Sequence, residues 1–118
     1  MVRVESSFTL EKLMEFAKQT YEAFNVKSRL RKYAYYRQVA AYIAIEGGYK
    51  VGEVAKAFGV SHPTIIWSRE NAISRLTSRE EEFLPYYNDF VDKFNKYLNT
   101  ETSNELPTTV NAGESVNA

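Results

Sequence analysis

The stretch VGEVAKAFGVSHPTIIWSRENAISRL, residues 51–76, decides the fold of this chain. Its apolar residues recur at helical spacing on both sides of Gly59, which predicts two short helices joined by a tight turn. We expect Gly59 to end the first helix, where a backbone that tolerates positive φ is needed. Ser61 is placed to cap the second helix, and Pro63 falls in its first turn, where a missing N–H costs nothing.

The spacing within this stretch is typical of a DNA-binding helix-turn-helix. Ala55, before the glycine, is small enough to let the two helices approach closely, and Ile65, after it, would fill the angle between them. In such a motif the second helix enters the major groove. An ordinary helical hairpin inside an all-α core is the alternative. The apolar positions assigned to the two helices are Val54, Ala55, Phe58, Ile65, Ile66, Ile73 and Leu76.

The rest of the sequence predicts an all-α protein, a compact bundle of about five helices. Beyond the helix-turn-helix we expect one helix from Leu10 to about Asn25, a second from about Leu30 to Glu46, and a last one from about Glu81 to Leu98. Residues 1–8 are interpreted as a leader, residues 9–98 as the domain, and residues 99–118, which are polar, as a disordered tail. The only tryptophan, Trp67, is interpreted as a core residue.

The net charge is zero, but the charges are unevenly placed. Between residues 27 and 79 there are ten Lys or Arg and three Glu, whereas from residue 80 onward there are eight acids and two Lys. Binding responds to the local field, so the basic centre around the helix-turn-helix favours a nucleic-acid partner. The acidic last helix or the tail is a possible site for a protein partner.

Several classes of protein do not fit this composition. There is no Cys and only one His, His62, so we expect neither a disulfide framework nor a metal site. No paired carboxylates stand out from ordinary surface charge, and we expect no enzyme, no cofactor and no small-molecule substrate. No apolar run approaches the roughly 20 residues of a membrane helix. We therefore expect a cytoplasmic protein without a membrane partner.

Three segments together resemble the C-terminal DNA-binding domain of the bacterial replication initiator DnaA. They are the basic run Lys27–Lys32, the helix segment Arg37–Ala40 followed by Tyr42 and Ile43, and VAKAFGVSHPTII at residues 54–66. The order and spacing of the three are more specific than any one of them. The resemblance covers roughly residues 10–98 and implies a Trp-repressor-like or DnaA-like helix-turn-helix fold.

The resemblance also implies roles for matched residues. A loop arginine at Arg29 would enter the minor groove, Arg37 and Gln38 would contact the backbone and nearby bases, and the start of the second helix would read base edges. That start departs from the family triplet Asp-His-Thr, because His62 and Pro63 replace the first two members and Thr64 alone is retained. The expected DNA-binding residues are Lys27, Arg29, Arg31, Lys32, Arg37, Gln38, Ser61, His62, Pro63, Thr64 and Arg69.

These departures change the expected chemistry more than the expected docking. Neutral His62 can donate or accept a hydrogen bond, and Pro63 offers no polar side-chain atom, so the recognised sequence should differ from the initiator's. The sequence contains no GxxxxGK[ST] phosphate loop, so we expect a stand-alone DNA reader without ATPase activity. Such a reader would suit a phage, a mobile element or a host accessory factor, in replication control or transcriptional regulation. A protein-interaction module that kept the fold but lost DNA binding is the alternative.

Overall fold

A computed structural model describes residues 3–25 and 30–105, with side chains up to residue 100. This part of the chain is all-α and contains five helices, as the sequence predicts. The helices are α1 (Leu10–Thr20), α2 (Arg31–Glu46), α3 (Val51–Phe58), α4 (His62–Thr77) and α5 (Leu84–Glu105), and a short 3-10 turn (Glu22–Phe24) follows α1.

The first helix begins as expected but ends earlier. The Thr9 side chain accepts a hydrogen bond from the Lys12 N–H at 3.1 Å, which caps the helix start. At Tyr21 the backbone turns to an extended conformation, with φ −126° and ψ 128°. The 3-10 turn then replaces the last turns that periodicity assigned to this helix. Periodicity alone did not register this turn, because Tyr21 and Ala23 are still buried.

The turn between α3 and α4 has the predicted construction. Gly59 adopts a left-handed conformation with φ 71° and ψ 35°. Ser61 is extended, and its hydroxyl accepts a hydrogen bond from the Thr64 N–H at 3.4 Å. Ala55 and Ile65 are 2% and 1% exposed, so both lie in the contact between the two helices as the spacing requires. A two-residue connection with one glycine is therefore enough to fix α4 on α3.

Helix α2 is the centre of the bundle and contacts each of the other four helices. Its small residues Ala40, Ala41 and Ala44 are fully buried. Small side chains let neighbouring backbones approach closely, which explains how several helices can pack around one. The α2–α4 contact matters most for function, because it sets the direction in which α4 presents its outer face.

Aromatic side chains fill the space between α1, α2 and α5. The Phe16 ring lies 5.2 Å from Phe90 and 5.1 Å from Phe94, and Tyr21 lies 4.1 Å from Tyr36, measured between ring centroids. Ring pairs at these distances add stability beyond the area that they bury. The core therefore holds α5 on the side of α2 where α1 also packs.

Two expected boundaries are corrected by the structure. The segment before α1, interpreted as a leader, packs on α5: the Asn95 amide accepts from the Glu5 N–H and donates to the Arg3 carbonyl. The Phe8 ring lies 5.2 Å from Phe94. At the other end, α5 continues to Glu105 instead of ending at about Leu98. The rest of the expected tail, residues 106–118, lies outside the described residues.

Candidate nucleic-acid interface

The first turn of α4 is the part of the predicted interface that the structure supports most directly. Ser61, His62, Pro63 and Thr64 are all exposed, whereas Ile65, the next residue, is buried. The change from exposed to buried follows from the plug role of Ile65, which turns the preceding residues away from α3. Four of the eleven predicted DNA-binding residues therefore lie together on one accessible surface.

The side chains in this turn already have defined neighbours. The Ser61 and Thr64 hydroxyl oxygens lie 2.9 Å apart and share a hydrogen bond. The His62 ring lies over Gly52 in the first turn of α3, where an added Cβ would approach the imidazole Cε1 and Nε2 to 3.4 Å. Gly52 thus leaves room for the imidazole, a contact that the sequence analysis did not foresee. The cap and the glycine together restrict how the three polar groups are presented.

The outer face of α4 is more apolar than expected. Ile66 is 43% exposed and Trp67 is 56% exposed, whereas the sequence analysis placed both in the core. The helix turns by about 100° per residue, so with Ile65 and Ser68 facing inward, Ile66 and Trp67 must face outward. The expectation of core packing for Trp67 was therefore wrong.

Gln38 is not at the interface. It is 2% exposed, and its side-chain oxygen accepts a hydrogen bond from Arg75 Nε at 3.2 Å. A side chain this deeply buried cannot reach a base or a phosphate without unfolding its helix. The resemblance-based role of Gln38 as a DNA contact is therefore corrected to a structural one between α2 and α4.

Arg75, a candidate phosphate contact from its place on α4, is also held inside the molecule. Its guanidinium donates to Glu80 as well as to Gln38 and lies 4.9 Å from the centre of the Tyr35 ring. Only 26% of its side chain is exposed. The charge of Arg75 is thus compensated by a carboxylate and is not available as part of a basic surface.

The two described residues of the basic run differ in their partners. Arg31 is exposed but forms a two-oxygen pair with Glu82, at 3.1 and 3.0 Å. The hydrogen bond and charge of Arg31 lower the pKa of Glu82, and the same pair raises the pKa of Arg31. Lys32 is exposed, with its ammonium 5.3 Å from the centre of the Tyr33 ring. Lys27 and Arg29 lie outside the described residues.

Arg37 and Arg69 are only partly accessible. Arg37 Nε donates to the Ala23 carbonyl at 2.9 Å and ties α2 to the 3-10 turn. Arg69 lies on the inner side of α4, and its Nε is buried without a hydrogen-bond partner among the described residues. Burial raises the pKa of Tyr42, and the nearby Arg69 charge opposes that rise. Neither arginine lies on the outer face of α4 beside Trp67.

The tyrosines of α2 are engaged with carboxylates. Tyr33 donates to Glu22 at 2.9 Å, and Tyr36 donates to Asp89 at 3.4 Å. Burial and the Asp89 charge raise the pKa of Tyr36 to about 12. These hydroxyls therefore stabilise contacts between elements, which agrees with the packing interpretation preferred for tyrosines on a helix face.

Taken together, the accessible surface around the turn carries little negative charge. From residue 54 to residue 69 the chain holds Lys56 and Arg69 and no acid, and the first turn of α4 has no acidic residue. The first carboxylate on the outer face is Glu70, which is exposed. A helix start without acids keeps its positive end available to an anion.

Two other features of the described residues bear on function. No described helix has the length and apolarity needed to cross a membrane. Between residues 3 and 105, with 26–29 set aside, no three His, Cys, Asp or Glu side chains are arranged to hold a metal ion.

Comparisons of the chain with protein-family models, curated proteins and solved structures gave no match.

Proposed function

We propose that this protein binds double-stranded DNA, with α4 in the major groove and the basic run on the phosphates and the minor groove. The observation that carries the proposal is the exposed first turn of α4, residues 61–64, fixed on α3 by Gly59 and the buried Ile65. In a helix-turn-helix the N-terminal residues of the second helix contact base edges. The resemblance to the DnaA domain supports the same assignment.

The proposed roles follow from chemistry at each position. His62 offers a ring nitrogen to a base edge, and Thr64 offers a hydroxyl and a methyl group. Lys27, Arg29 and Lys32 would hold phosphates, with Arg29 also placed to enter the minor groove. The biological output that we propose is replication initiation control or transcriptional regulation. The chain carries no phosphate-loop motif, and we propose neither ATPase activity nor any other catalysis.

Fluorescence anisotropy with labelled random-sequence duplexes at two salt concentrations tests the proposal. A protein that neutralises phosphates loses affinity as salt rises, with a log–log slope of about −0.9 per phosphate contact. We expect measurable binding at low salt and a steep slope. Lys32→Ala should weaken binding to all duplexes and reduce the slope by about one contact. The absence of any binding at low salt would refute the proposal.

Variants of the α4 start separate reading from holding. His62→Ala and Thr64→Ala should change the sequences recovered by selection from random duplexes more than they change affinity for the random pool. Lys96→Ala is a matched control, because Lys96 is an exposed lysine on α5 beside Phe16 and Thr20 of α1. It should leave both the affinity and the recovered sequences unchanged.

A protein-interaction module is the second candidate, and a specific observation favours it. Arg31 and Arg75 are paired with carboxylates, while Val60, Ile66 and Trp67 are exposed apolar side chains near the turn. Exposed apolar surface of this kind commonly marks a protein contact. The salt titration discriminates between the two, because a module of this class would show no duplex binding at low salt.

A further inference from the structure

Three residues of α4 form an apolar face that no structural contact explains. Pro63, Ile66 and Trp67 are spaced i, i+3 and i+4, so they lie side by side on one face of the helix. All three are exposed. The opposite side of α4 is packed into the bundle through its buried residues, which are Ile65, Ser68, Ala72 and Leu76.

The position of this face limits what it can contact. It begins within the same helical turn as His62 and Thr64, so whatever reaches those polar groups also reaches Ile66. The surface lacks carboxylates up to Glu70 and includes the positive end of α4. This charge pattern is complementary to the negative groove of a duplex, which favours DNA as the occupant over an acidic-residue-binding basic partner.

We propose that Ile66 and Trp67 select thymine by contacting its 5-methyl group in the major groove. This inference rests on the proposed function and names how the site would be read. Thymine is the one standard base that presents a methyl group there, and apolar side chains are its usual contacts. Pro63 has neither a side-chain donor nor a backbone N–H, so this face reads bases by apolar contact.

The geometry of α4 also indicates how many bases are read in this way. From Pro63 to Trp67 the helix axis advances by about 6 Å, at 1.5 Å per residue. This distance corresponds to about two steps of a DNA strand, at 3.4 Å each. The preferred site should therefore contain thymines at neighbouring base pairs, on one strand or on opposite strands.

Replacement of thymine by deoxyuridine tests the inference, because it removes the methyl group and keeps base pairing. Duplexes are first selected from a random pool, and the best one is then made with thymidine or with deoxyuridine at each position in turn. Burial of one methyl-sized group predicts about a fourfold loss of affinity at each contacted thymine. Ile66→Ala and Trp67→Ala should bind the two forms of the duplex more equally. Ser74→Ala, an exposed substitution further along the same helix, should keep the wild-type ratio.

The outcomes separate this inference from the proposed function. Binding with equal affinity for the thymidine and deoxyuridine duplexes would overturn the inference and leave DNA binding standing. A methyl effect that persists unchanged in both alanine variants would also overturn it, since the effect would then arise from DNA shape. No binding to any duplex would overturn both. Self-association of the wild-type chain that Trp67→Ala abolishes, without any methyl effect, would assign the face to a second copy instead.

Discussion

Replacement of Gln38 tests most directly whether the structure or the family resemblance gives the right role for this residue. Gln38 is buried between α2 and α4, and its oxygen accepts a hydrogen bond from Arg75 Nε. We expect Gln38→Ala to destabilise the protein and to leave the DNA affinity of the folded protein unchanged. If Gln38 contacted DNA, the opposite pattern would be expected.

The magnitude follows from two losses. A hydrogen bond to a charged group contributes about 1.5–3 kcal/mol, and the truncation adds the cost of a buried cavity. Together these predict a loss of about 3 kcal/mol in the free energy of unfolding. Gln38→Met keeps most of the volume and removes only the hydrogen bond, so it should lose about 1.5 kcal/mol. Domains of ordinary stability, about 5–15 kcal/mol, remain folded after either change.

Urea unfolding followed by far-ultraviolet circular dichroism measures the effect. The tryptophan signal is less suitable, because Trp67 is exposed in the native structure. Duplex affinity is measured in parallel, under conditions where each variant is folded. An unfolding free energy for Gln38→Ala within about 0.5 kcal/mol of wild type, together with a loss of duplex affinity, would refute the structural role.

Three further predictions concern other parts of the molecule. Glu82→Gln removes the charge that holds Arg31 and should raise duplex affinity at low salt by about two- to fivefold, measured by anisotropy; an unchanged affinity would show that Arg31 does not approach the phosphates. The pKa of Tyr36 is raised to about 12 by burial and by Asp89, so its contribution to stability is fully present below pH 10, the ordinary tyrosine value, and is lost as the pH rises through 12; circular dichroism and tyrosinate absorbance recorded together should show unfolding in that interval. Gly59→Ala meets no atom within 4 Å but must adopt φ 71°, so urea unfolding should show a loss of about 1–2 kcal/mol, and Gly59→Asn a smaller loss.

The local features of the helix-turn-helix could be predicted because each depends on a few neighbouring residues. A glycine was needed for the left-handed turn, and a hydroxyl was needed at the cap, so Gly59 and Ser61 identified the connection. The buried position of Ile65 followed from its distance to that glycine. The same reasoning predicted the all-α class and the cap at Thr9.

The outer face of α4 could not be predicted from composition. Ile65, Ile66 and Trp67 are three consecutive apolar residues, and only the first can point into the bundle when Ser68 and Ala72 share its side. A strict 3.6-residue count from Ile65 would have placed Trp67 outside. The preference for aromatic residues in cores outweighed this count and gave the wrong location.

The charge pairs were beyond the reach of sequence because they join distant parts of the chain. Arg31 and Glu82 are 51 residues apart, and Gln38 and Arg75 are 37 apart. The sequence shows a basic centre and an acidic C-terminal part but not that the first carboxylates of the acidic part fold back on the basic one. The extended position of residues 80–82 before α5, where turns replace the expected helix start, makes both contacts possible.

This folding back changes what the charge asymmetry means for DNA binding. Arg75 is compensated inside the bundle, and Arg31 must exchange Glu82 for a phosphate before it contributes. The cations left near the turn are then Lys27 and Arg29 of the basic run, together with Lys32 and Lys56, which are exposed. Four phosphate contacts predict a salt slope of about −3.6, well below that of a strongly basic DNA-binding protein, and release of Arg31 in Glu82→Gln should bring it to about −4.5. An electrostatic contribution this modest leaves the apolar face and the polar start of α4 to supply the selectivity, which is why the thymine methyl group, and not net charge, is the feature most worth testing.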